Sequence, residues 1–161
     1  MKLSYVKGIS FGLTSGIITT LGMMVGLNAG THSTLAVLGG ILTIAIADAF
    51  SDALGIHISE ESSNAKNKKE IWESTIATFV AKLVFALTFV IPVLLLSLEM
   101  AVIVSIIWGL FMLGLLSFLI AKSQKEPVWH VIGEHWAIAI LVIVATHSVG
   151  HLISSYFGEL S

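Results

Sequence analysis

The 161-residue chain has no cysteine and no arginine, and only 11% of its residues are charged. Without cysteine there are no disulfides, zinc–thiolate centres or thiol nucleophiles. A soluble domain carries about 25% charged residues, and a chain with this deficit cannot cover its own surface with polar groups. Disorder is excluded too, because disordered segments are polar and charged. A formal net charge of −2, with no Lys/Arg run, argues against a nucleic-acid partner. No phosphate-binding glycine loop, catalytic triad or membrane-protease motif is present, so a non-enzymatic role without a resident cofactor is expected.

What is present is apolar: 56% hydrophobic residues and a mean hydropathy of +0.97. A bilayer-spanning helix needs about 20 such residues. Five stretches qualify, at about 8–27, 34–59, 75–96, 100–121 and 136–157. The alternation of a transmembrane barrel is absent. The prediction is a single all-α transmembrane domain over residues 1–161 with the lipid bilayer as its surroundings. The first stretch is long and glycine-broken and has no clear small-x-small cleavage site, so it is read as a span, not a signal peptide.

The lysines orient the spans. Lys2 and Lys7 precede the first; Lys66, Lys68 and Lys69 lie between the second and third; Lys122 and Lys125 lie between the fourth and fifth. The other loops have none. Lysine is retained on the cytoplasmic side, which predicts N-terminus in and C-terminus out. The all-lysine basic set and the minimal loops fit a prokaryotic plasma membrane.

Span one holds Gly8, Gly12 and Gly16, then Gly22, Gly26 and Gly30. Small residues at every fourth position let another helix approach closely, and a homodimer through this first helix is expected. Ser15, Thr19 and Met23 form a second stripe of two hydroxyls and a thioether. Packing is the bland reading; ion ligation is the functional one.

Asp48 and Asp52 lie inside span two, one turn apart on one face. A mid-span aspartate costs roughly 2.5–3.5 kcal/mol to insert. Mutual repulsion of two carboxylates favours a shared proton, a bound cation or a cationic partner. Lys82 in span three is that partner by depth. Counting from the inner loops puts Ser15, Asp52 and Lys82 all roughly 10 Å below the inner surface. Thr19, Asp48 and His147 lie a turn deeper. The layer reads either as a cation site with Asp52, Lys82 and His147 balancing charge, or as a neutral salt-bridge cluster.

Span one, GISFGLTSGIITTLGMMVGL, and span two, IADAFSDALGIHISEESS, resemble the first two helices of the vacuolar iron transporter family. Gly16, Ile17, Ile18, Thr19 and Thr20 match its Asp-Gly-hydrophobic-hydrophobic-Thr/Ser-Thr/Ser motif. Ala47, Asp48, Ala49, Ser51, Gly55, Ser59 and Ser62 match its second-helix motif, and Pro92 resembles a family proline. The resemblance covers residues 8–62, and five spans in the same orientation are also a family trait. It implies a homodimer whose first two helices line a path for Fe²⁺, Mn²⁺ or similar divalent ions, with proton-coupled export. On a transporter reading Asp48 and Asp52 are expected to bind the ion, with Ser15, Thr19 and Met23 facing them. Two departures stand out. Ser15 replaces the family aspartate and Asp52 the family methionine, an exchange that favours harder ions such as Mn²⁺ or Mg²⁺. The family's glutamate-rich cytoplasmic domain is replaced by about a dozen residues.

Other polar residues give lesser signals. His57, Glu60 and Glu61 are a candidate cytoplasmic metal trap. His147 and His151, at i, i+4 in span five, could hold one metal or a haem. Three function classes follow: a divalent-metal transporter, a non-transporting membrane scaffold or anchor held by a Lys82–Asp52 pair, and a haem or quinone subunit using His147 and His151.

Overall fold

A computed structural model describes residues 2–63 and 67–158; Lys66 lies outside them. The elements run α1 (Leu3–Thr31), α2 (Thr34–Ser62), α3 (Lys68–Thr88), α4 (Val90–Leu95), α5 (Leu98–Gln124) and α6 (Val128–Phe157), with no strand among the described residues. Five helical segments are long and apolar enough to cross a bilayer, α3 and α4 together making one. The protein is an integral membrane protein by this architecture. Helices are obligatory there, because lipid offers backbone N–H and C=O groups no other partner.

The helices overrun the predicted spans at their ends. The Lys125–Pro127 turn is followed at once by α6, so the polar lead-in around His130 and Glu134 is helical, with these two side chains paired at 3.2 Å. The third span breaks at Phe89. Pro92 has no N–H to offer the Thr88 carbonyl, and its ring crowds that same carbonyl. The Thr88 hydroxyl instead donates to the Phe85 carbonyl at 2.6 Å and accepts from the Trp108 indole at 3.2 Å.

α1 is the central post. Leu13, Ile17, Leu21 and Met24 are buried in a core shared with Val37 and Ile41 of α2, Phe89, Val93 of α4 and Leu113 of α5. Its two glycine stripes serve this interior. Gly8, Gly12 and Gly16 face α3 along Ser74, Thr78 and Lys82; Gly22, Gly26 and Gly30 face α6 along Val142, Thr146 and Gly150. A Cβ on Gly12 would collide with the Thr78 carbonyl, which is rigid backbone. The stripes expected to seat a second copy are therefore filled from within the chain.

On α2 the buried face is Val37, Ile41, Ala45, Ala49 and Ala53, again every fourth residue. These small side chains bring α2 close to α1 and α3. At the lysine-bearing end, Lys2 donates to Glu73 at 2.8 Å, Ser4 donates to the other Glu73 oxygen at 2.8 Å, and Lys7 reaches Glu60 at 3.4 Å. The Glu73 carboxylate holds the Lys2 ammonium above its ordinary pKa.

Candidate ion-coupling site

Three helices bring their polar residues to one point. The Lys82 side chain leaves α3 and is 1% exposed. Its ammonium contacts Asp52 and Asp48 on α2 and donates to the Ser15 hydroxyl on α1 at 2.8 Å. An ammonium has three N–H donors, and here it meets three oxygens. Burying it without them would be prohibitive in a bilayer. Gly16 sets the approach: a Cβ there would press the Lys82 backbone at 3.3 Å.

Two carboxylates around one ammonium leave one negative charge in excess when all three are ionised. The two aspartates differ in surroundings. Asp52 is 19% exposed and Asp48 27%. Asp48 also lines an open groove of about 630 Å³ between α1 and α2, with Thr19, Met23, Thr43 and Gly40. Gly40 is there because Met23 Sδ and a Leu27 methyl lie where its Cβ would sit. Thr19 donates to the Ser15 carbonyl at 2.8 Å, which leaves its oxygen lone pairs available. The arrangement is a tethered internal cation with one of its anions lining a mainly apolar groove that also carries the Thr19 and Thr43 hydroxyls. Such a cluster can trade its ammonium for a proton or another cation.

The structure thus gathers Ser15, Asp48, Asp52 and Lys82, and sets Thr19 and Met23 beside Asp48. It does not gather the others. His147 and His151 are exposed on the outer face of α6, and His151 shares a 3.4 Å contact with Ser155. His57 lies against Thr75 at 2.9 Å, while Glu60 is buried toward Lys7. Among the described residues no group of three or more His, Asp or Glu is placed to hold a metal. Thr43 and Gly40 went unnoticed in the sequence. The signal for Thr43 was present, as a hydroxyl at mid-span one turn and a residue before Asp48.

No family model matches the chain, and neither a curated protein nor a solved structure matches it. The family resemblance expected from the sequence therefore has no support beyond the motif residues of α1 and α2. Of these, Asp48 and Thr19 line the groove, and Gly16 admits Lys82.

Proposed function

We propose that this membrane protein carries divalent cations through the bilayer, with Asp48, Asp52 and Lys82 as the exchange point. The observation that carries the reading is an ammonium buried among two carboxylates, one of which also opens onto a groove lined by Thr19, Met23 and Thr43. A divalent ion entering from the groove displaces the Lys82 ammonium from Asp48 and Asp52. Lys82 then releases its proton, and the cluster passes from one excess negative charge to neutrality. Release of the ion returns the proton to Lys82. Metal and proton therefore move in exchange, because the metal and the protonated Lys82 compete for the same carboxylate oxygens. The absence of a thiolate or a nearby histidine favours Mn²⁺- or Fe²⁺-like and harder ions. The lysine-bearing end faces the cytoplasm on this reading, the direction is export, and the membrane is a prokaryotic plasma membrane.

The test is divalent-ion flux into proteoliposomes with and without a pH gradient. Asp48→Asn and Asp52→Asn are expected to lower flux at least tenfold. Lys82→Gln is expected to retain flux and lose its response to the gradient. Undiminished flux in both aspartate variants overturns the assignment. One observation favours a second reading, a non-transporting scaffold: Lys82 is already ion-paired with both aspartates and hydrogen-bonded to Asp52 and Ser15. That reading predicts no flux of any divalent ion by the wild-type protein.

A further inference from the structure

A second site lies apart from the charge cluster, at the lysine-bearing end of α2 and α3. An apolar cavity of about 350 Å³ is lined by Phe50, Leu54, His57, Trp72, Ile76 and Phe79. The Phe50 and Phe79 rings, 4.7 Å apart, pack at one end of it. His57 and Trp72 stand at the other, edge to face at 4.8 Å, with His57 fixed by its 2.9 Å contact to Thr75. The same two residues also line a smaller, half-polar pocket with Glu61 and Lys68. The apolar cavity therefore continues into a charged mouth.

The mouth has an unusual property. Glu61 and Lys68 have opposite charge and line one pocket, yet neither is ion-paired among the described residues. Both side chains are exposed. The apolar walls of the groove, Phe50, Leu54 and Ile76, are more than half exposed on faces that meet the bilayer. The mouth lies at the last turn of α2 and the first of α3, where the chain leaves the apolar layer. A ligand that fits has an acyl chain along the groove and carries an anion and a cation side by side at its polar end.

We propose that this groove binds one phospholipid with an ethanolamine-type headgroup. Its acyl chain lies along Leu54, Ile76 and Phe79, its phosphate is met by Lys68, and its ammonium is met by Glu61. Paired charges of both signs select this zwitterion over phosphatidylglycerol, whose phosphate Lys68 can still meet but whose uncharged glycerol offers Glu61 no cation.

The experiment is native mass spectrometry of the full chain equilibrated with equimolar phosphatidylethanolamine and phosphatidylglycerol. The wild-type protein is expected to retain one phosphatidylethanolamine per chain with a preference of about tenfold, the size that a hydrogen bond to a charged group supplies. Glu61→Gln, an exposed substitution compatible with folding, is expected to remove the preference. Ile76→Trp, which fills the groove, is expected to remove the retained lipid. Equal retention of the two lipids by the wild-type protein, a preference for phosphatidylglycerol, or an unchanged preference in Glu61→Gln overturns the proposal. Because Glu61 and Lys68 are remote from Asp48 and Asp52, these results are independent of the flux measurements.

Discussion

Lys82 is buried with its ammonium hydrogen-bonded to Asp52 and Ser15 and ion-paired with Asp48, so its oxygens come from two different helices. Removing it leaves Asp48 and Asp52 facing each other with no cation. Loss of one partner from a buried ion pair costs about 3–5 kcal/mol, whereas exchanging the whole group for neutral residues of similar shape is far milder. Lys82→Met is therefore expected to lower stability by about 3 kcal/mol, read as thermal unfolding in detergent. Adding Asp48→Asn and Asp52→Asn to it is expected to recover most of that loss. An additive triple variant, worse than Lys82→Met alone, contradicts the ion-pair account. At this scale depth was readable from sequence and direction was not. The distance from a polar loop fixes how deep a side chain sits, so Ser15, Asp52 and Lys82 could be placed in one layer by counting. His147 was counted into the layer as well, yet α6 turns it outward. Which way a residue points around its helix depends on neighbours that counting does not supply.

Among the elements, α1 shows how one sequence feature admits two structural uses. A glycine at every fourth position announces a close helix approach, but not the identity of the approaching helix. Here the first stripe takes α3 and the second takes α6, so α1 holds the bundle together. Gly12→Leu is expected to push α3 away from Thr78 and to destabilise the protein by about 2–4 kcal/mol, checked by thermal unfolding. The same displacement moves Lys82 relative to Ser15. The α3–α4 break was not read from the sequence, although Pro92 carries the signal because it cannot continue the hydrogen-bond ladder. Its exact place at Phe89 is set by the Thr88 hydroxyl and the Trp108 indole, which lies 20 residues further along.

At the scale of the whole molecule, the Asp48 groove borders a face of α2 that no other helix of the chain covers among the described residues. The exposed face of α2 carries Gly39, Thr43, Ala47, Ser51, Gly55 and Ser59, again at every fourth position, and no atom lies within 4 Å of a Cβ placed at Gly39 or Gly55. If the homodimer implied by the family resemblance forms, this stripe and not the glycines of α1 is its seat. The natural lack of cysteine makes the test clean. Ser51→Cys in membranes is expected to give an oxidised dimer, and Phe111→Cys, exposed on α5, is expected to remain monomeric. Cross-linking at position 111 with none at 51 places any dimer elsewhere.

The sequence by itself determined the number of spans and their approximate places along the chain. A bilayer has one thickness and no water, so hydropathy and loop charge are direct measures of both. Only the tertiary structure decided which helix each small-residue stripe received, that Lys82 sits between two aspartates and a serine, and that His57 and Trp72 join an apolar groove to a charged mouth. Those outcomes depend on the rotation of each helix about its own axis, which is fixed by packing against all the others at once.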